Sequence, residues 1–252
     1  MVYDSLTDPP HNLKECIDWL IAVRGDDGKK NVVALGEAVH KFLADKPVGK
    51  MEVPALEEVK LITKEFLEKP ELQNRRAVRA ILRRFNKPMR KVGFCHRLFG
   101  RIVDSDYENV IETKGLTAEN IAENIGEIVE GCKTFLDHIK IPDQYKSAYG
   151  PEATWDASCS EKPEACAVIF VGIAPMLYAG IQSLWKICTA RVFKASNFEA
   201  EKHMPKVLKA LGYATPEFPP DLNVLNVTCA LLGFNRHMVT NIYDLAGFWA
   251  FY

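Results

Sequence analysis

Two groups of residues in this 252-residue chain have types and spacing that could do chemistry: a run of cations and a pair of thiols. Between Glu71 and Asp104 there is no acidic residue, while Arg75, Arg76, Arg79, Arg83, Arg84, Lys87, Arg90, Lys91, Arg97 and Arg101 all fall inside the stretch. Such a run attracts polyanions, whether nucleic acid, anionic lipid or sulfated glycan. The competing reading is a solvated helix face balanced by Glu57, Glu58, Glu65 and Glu68. The candidate polyanion-binding face comprises the first eight cations, Arg75 to Lys91. No nucleic-acid module signature accompanies them, which argues against nucleic acid as the polyanion.

The thiol pair is Cys159-Ser-Glu-Lys-Pro-Glu-Ala-Cys166, a loop short enough to close a disulfide across a turn. The alternative is two unrelated thiols. The chain has seven cysteines, an odd number, with no C-x-x-C, and its six histidines are scattered. Adjacent Cys95 and His96 do not have the spacing of two ligands to one metal. Most of the cysteines therefore read as lone buried thiols. The chain has no G-x-S-x-G, G-x-G-x-x-G, Walker loop or H-E-x-x-H. No catalytic, cofactor-binding or metal residue is predicted, and the expected role is binding or display without catalysis. Only a deep pocket gathering titratable side chains would point to an enzyme. Asn226-Val227-Thr228 matches the glycosylation acceptor pattern but falls inside a predicted helix, where it reads as accidental.

These residues need elements to position them. An apolar fraction of 48% with 26% charged residues describes an ordinary folded protein. A net charge of -1 gives no whole-chain field towards nucleic acid or membrane. The first residues show neither a basic n-region nor an apolar h-region, so no standard secretory signal is visible.

Apolar residues recur at helical spacing almost throughout. Leu13 to Ile21 gives a first helix before the turn Gly25–Gly28. Val32 to Leu43 gives a second, and Leu56 to Leu67 a third that stops before Pro70. Leu72 to Phe85 gives a fourth, and Phe94 to Val103 a shorter fifth. In the sixth, Thr117 is the predicted N-cap, Leu116 and Ile121 form a staple, and a stripe runs from Ile121 through Cys132 to Ile139. A looser segment, 143–163, follows. Val207, Leu208 and Leu211 mark a helix before Gly212, and Thr215–Pro220 reads as a linker or surface loop. Two helices close the chain, Leu222–Leu232 and Arg236–Phe251, the second capped by Asn235. No run alternates as a strand would.

Ala165 to Trp185 carries no charge and is long enough to cross a bilayer. Gly172, Pro175, Gly180, Gln182 and Ser183 lower its hydrophobicity, and no basic cluster flanks it. Amphipathic helices on both sides need a partner, which favours a buried central helix. Pro175 is expected to kink or break it. The predicted fold is all-α, an irregular multi-helix bundle around this central apolar helix, as a single domain over 1–252 with a subdivision at 1–140 and 141–252 left open.

Several strings together resemble one family. They are Ser5-Leu-Thr-Asp-Pro-Pro-His-Asn-Leu-Lys-Glu15, Ile17-Asp-Trp-Leu20 and Phe42-Leu-Ala-Asp-Lys-Pro-Val-Gly49, followed by Asp143-Gln-Tyr-Lys-Ser-Ala-Tyr149 and Glu152-Ala-Thr-Trp155. Cys166-Ala-Val-Ile-Phe-Val-Gly-Ile-Ala-Pro-Met-Leu-Tyr-Ala-Gly180 and Tyr243-Asp-Leu-Ala-Gly-Phe-Trp-Ala-Phe-Tyr252 complete the series. In order and nearly end to end, they resemble the variant erythrocyte surface antigen family of babesial parasites, in its N-terminal ectodomain region. The resemblance implies export to the infected red-cell surface without a standard signal peptide, antigenic variation, and adhesion to host endothelium. It implies a host endothelial or erythrocyte ligand and a family partner subunit, and no cofactor is expected; the basic face adds a sulfated glycan as a further candidate partner. An extracellular setting also favours the Cys159–Cys166 disulfide. Family members usually carry a membrane span near the C-terminus, and none follows Phe251-Tyr252 here, which leaves anchoring open. The alternative function is an intracellular helical scaffold that binds polyanions through the basic face.

Overall fold

A computed structural model describes residues 2–87, 104–193 and 197–252, with side chains outside 190–200. The predicted fifth helix, Phe94 to Val103, lies outside the described residues, as do Arg90, Lys91, Arg97 and Arg101.

The first helices follow the apolar spacing. Helix α1 (Leu13–Arg24) starts at Asn12, whose side chain accepts from the Glu15 N–H, and ends at Gly25 with φ 50°. Helix α2 (Gly28–Ala44) buries Val32, Leu35, Val39, Phe42 and Leu43. Its last carbonyls would be orphans. Asn109 reaches them from 65 residues away, its Nδ2 donating to the carbonyls of Ala44 at 2.7 Å and Lys46 at 3.1 Å. Helix α3 (Pro54–Leu67) has its proline in the first turn, where no intrahelical N–H is needed. Helix α4 (Arg76–Asn86) begins four residues later than its apolar spacing suggests. After Pro70 the chain turns through residues 71–74, and Leu72 is buried from the turn rather than from the helix.

A 3-10 turn, Asp104–Asp106, and the one-turn helix α5 (Val110–Thr113) lead to helix α6 (Ala118–Ile139). Thr117 caps α6 as predicted: Asn120 N donates to its hydroxyl at 3.2 Å, and Thr117 N donates back to Asn120 Oδ1 at 3.2 Å. Helices α2 and α6 pack closely because small residues meet. A Cβ on Gly36 would stand 2.6 Å from the Ala122 Cβ and 2.7 Å from its backbone.

The looser segment contains the short helix α7 (Trp155–Ser158). It is sewn to the N-terminal residues. Tyr3 N donates to Ala148 O and Gly150 N to Tyr3 O, at 2.8 and 2.9 Å, and Leu6 N donates to the Ser158 hydroxyl at 2.9 Å. The result is one isolated parallel bridge, Tyr3 to Tyr149; no strand is formed among the described residues.

Helix α8 (Pro163–Phe193) is the centre of the bundle. It packs against α1, α2, α3 and α4, and against the three later helices α9 (Asn197–Ala210), α10 (Val224–Ala230) and α11 (Arg236–Asp244). By length and composition its Pro163–Thr189 portion could cross a membrane, yet 83% of the most apolar window is buried in the fold. Gly172 and Gly180 mark where neighbours come closest. A Cβ there would lie 2.5 Å from Val59 Cγ1 and 2.9 Å from Leu13 Cδ2.

Pro175 does not break α8. A helical proline removes one N–H and crowds the preceding turn. Here the Thr63 hydroxyl donates to the Gly172 carbonyl at 2.8 Å, so α3 supplies a donor to that turn.

The predicted terminal helix Arg236–Phe251 is instead α11 and the one-turn helix α12 (Phe248–Phe251). They part over residues 245–247: α11 is capped by Leu245, and Gly247, the N-cap of α12, takes φ 65°, in the left-handed region that glycine enters without a Cβ penalty. The helix expected over Leu222–Leu232 is shorter: α10, capped by Asn223, passes into a 3-10 turn at Leu231–Gly233. One cluster of buried apolar residues runs from Leu6 to Tyr252, drawing on both halves of the chain.

Candidate functional site

The basic face is carried by α4. Its apolar residues Val78 and Ile81 are fully buried, which turns Arg76, Arg79 and Arg83 to solvent with Lys87 beyond them. Arg75 is half-buried, and its Nε donates to the Glu71 carbonyl at 3.2 Å. The acidic neighbours on α3 do not balance this face directly. Glu57 pairs with Lys60 at 2.6 Å and Glu68, the C-cap of α3, approaches Lys64 at 3.9 Å, and among the described residues neither Glu58 nor Glu65 pairs with a cation of α4.

Arg84 does not belong to the solvent face. It lies three residues after Ile81, on the buried side of α4, and is 6% exposed. Its Nε donates to Asp106 Oδ1 at 3.0 Å, its Nη2 to Asp106 Oδ2 at 2.6 Å, and its Nη1 to the Ala80 carbonyl at 3.0 Å. The Tyr243 hydroxyl donates to Asp106 Oδ1 at 2.6 Å. This bidentate ion pair ties α4 to the 104–106 turn and to α11. Burial pushes the Tyr243 phenol well above its ordinary range, and the Asp106 charge adds to the effect, so the hydroxyl remains a donor.

The thiol pair is closed. Cys159 and Cys166 form a disulfide with Cα atoms 6.0 Å apart, joining the end of α7 to the first turn of α8. Both residues are buried. Cys16, Cys132 and Cys188 are buried free thiols, Cys229 is an exposed one, and Cys95 lies outside the described residues.

Sequence reasoning missed a second buried polar cluster, whose one local signal is the i,i+4 spacing of Lys14 and Asp18. Lys14 on α1 reaches Asp18 at 3.2 Å, Glu217 at 3.0 Å and the Lys146 carbonyl at 2.8 Å. Asp18 also accepts from the Tyr145 hydroxyl and from Ala148 N. Burial pushes the Asp18 carboxyl above the usual range, opposed mainly by the Lys14 charge. The cluster's bonds run between α1 and the 143–148 and 217 segments, so its chemistry is spent on holding loops.

A groove of about 490 Å³ opens between the N-terminal turns of α2 and α6. Val32, Val33, Ala122 and Val129 line it, with Glu37, Glu119 and Glu123 around them. Arg24 beside it is occupied by Glu130 at 2.6 Å. A smaller pocket of about 180 Å³ lies between α3, α4 and Tyr252. Among the described residues no group of three or more His, Cys, Asp or Glu side chains could hold a metal ion.

Comparison with family models, with curated proteins and with solved structures returns no match.

Proposed function

We propose that the chain is an antigenically variable domain of the infected red-cell surface that works by display or host-cell adhesion and has no catalytic role. The observation that carries the reading is the Cys159–Cys166 disulfide. Disulfides persist in oxidising settings and are rare in the cytosol. The ordered strings from Ser5 to Tyr252 that resemble the babesial surface antigens support the same compartment. Burial of α8 within the bundle fits an ectodomain. Its partners would be a host endothelial or erythrocyte ligand and a family subunit.

Surface biotinylation and protease shaving of intact infected cells test this. The expected result is a labelled, protease-sensitive chain. A chain confined to the parasite cytosol overturns it.

A second reading, an intracellular scaffold for polyanions, is favoured by one observation: Arg76, Arg79 and Arg83 share the exposed side of α4. Retention on immobilised heparin should fall when all three become alanine. Unchanged retention removes this reading.

A further inference from the structure

The groove between α2 and α6 joins an apolar floor to an excess of carboxylates. Glu37, Glu119 and Glu123 border it, and among the described residues none of the three makes an ion pair. Its cations are Lys29, also without an ion pair there, and Arg24, which is spent on Glu130 at 2.6 Å. Three free carboxylates therefore stand against one free ammonium. The space exists because α6 turns small residues towards it once per turn, at Ala118, Ala122 and Gly126. A Cβ on Gly126 would meet only Val32 Cγ1, at 3.8 Å, so nothing in the bundle fills the groove above it. Val33, on the α2 side, is 39% exposed.

The opposite charge is carried by α4. Arg76, Arg79 and Arg83 are exposed, α4 has no acidic residue, and among the described residues the three guanidiniums make no ion pair. Within one molecule the two sets do not meet: α4 packs on α3 and α8, while the groove belongs to α2 and α6. Between molecules their spacings match. Glu119 and Glu123 are four residues apart on one helix, as Arg79 and Arg83 are on the other, a rise of about 6 Å in each. Arginine stems cover apolar surface while their heads reach for charge, which suits a floor of Val32, Val33 and Val129 with carboxylates beside it. A net charge of -1 means that no whole-chain repulsion opposes the approach of two copies.

We propose that the α2–α6 groove docks α4 of a second copy of this chain, with Arg79 and Arg83 meeting Glu119 and Glu123. The two surfaces differ, so the contact is heterologous. It closes into a ring or extends as a filament according to the rotation between copies. The contact does not depend on where the protein is displayed.

The test is sedimentation velocity on the purified full chain, across the concentrations its solubility allows. Self-association that weakens as sodium chloride is added is expected. Two variants reverse one surface each: Glu119→Arg with Glu123→Arg, and Arg79→Glu with Arg83→Glu. All four positions are exposed, so an unchanged Tm should show that both variants fold. Each alone should self-associate at least about tenfold more weakly, because like charges then meet. An equimolar mixture of the two should associate again, since the first keeps its arginines and the second its glutamates. Glu161→Arg with Glu164→Arg makes the same change in net charge on neither surface and should associate like the wild type. A wild-type chain that stays monomeric overturns the proposal and leaves the groove to a basic partner other than this chain. Association that survives in either surface variant, a mixture that stays monomeric, or equal weakening in the Glu161 and Glu164 control also overturns it.

Discussion

Arg83 and Arg84 are adjacent and chemically identical, yet their replacement should have very different effects. Arg84→Ala removes the bidentate donor of the Asp106 carboxylate, whose side chain is 0% exposed. Breaking a buried ion pair from one side costs about 3–5 kcal/mol. Arg83 is exposed, and its replacement should stay within about 0.5 kcal/mol. Urea denaturation followed by circular dichroism measures both. With a slope of about 3 kcal/mol per molar, Arg84→Ala should lower the midpoint by about 1–1.7 M, and Arg83→Ala should hardly move it. Tyr243→Phe removes a hydrogen bond to a charged acceptor and should cost about 1.5–3 kcal/mol. Replacing Arg84 and Asp106 together by Met and Leu should cost less than Arg84→Ala alone, because both members of the buried pair go together. Equal midpoint shifts for Arg83→Ala and Arg84→Ala would refute the assignment.

Other outcomes follow from the same geometry. Reducing the Cys159–Cys166 bond, or replacing both cysteines by serine, should lower stability by about 2.5 kcal/mol on the chain-entropy estimate for a loop of this length, read as a lower urea midpoint. Asn109→Asp turns a donor into an acceptor facing the carbonyls of Ala44 and Lys46. It should cost at least about 2 kcal/mol, whereas Asn109→Ala should cost less; calorimetry compares them. Burial raises the phenols of Tyr145, Tyr149, Tyr213, Tyr243 and Tyr252 above their ordinary value. The fold therefore holds protons that the unfolded chain releases at about pH 10. The stability this provides is intact below that pH and is lost as pH rises beyond it. An ultraviolet titration should show these tyrosines ionising together with unfolding, not one by one beforehand.

The helices were legible because their apolar faces repeat at helical spacing and their caps are local. Thr117 with Asn120, and Asn235, announce themselves within four residues. The break at Gly247 was hidden because Leu245, Phe248 and Trp249 keep helical spacing across it, and a glycine inside such a run can be read either way. The separation of Arg84 from Arg83 was partly readable, since Arg84 follows Ile81 by three and Arg83 follows Arg79 by four. The partner, Asp106, was not readable: it lies 22 residues on, and nothing local selects it over Asp104. The same holds for Glu217, which joins the local Lys14–Asp18 pair from about 200 residues away, and for the smaller pocket. The pocket exists only because the last residues fold back onto the 49–51 segment and α3.

Under the proposed display role, helix α8 has a consequence for what an immune system could see. From Cys166 to Leu184 nearly all its side chains are enclosed by the rest of the bundle, and Gly172 and Gly180 are indentations into which Val59 and Leu13 fit with no room for a methyl group. Sequence drift there is penalised on every side, while the outer faces of α4 and α6 carry no packing penalty for change. An antibody raised against a peptide from residues 166–184 should therefore recognise the denatured chain and ignore the native molecule. One raised against the folded domain should see only the changeable exterior.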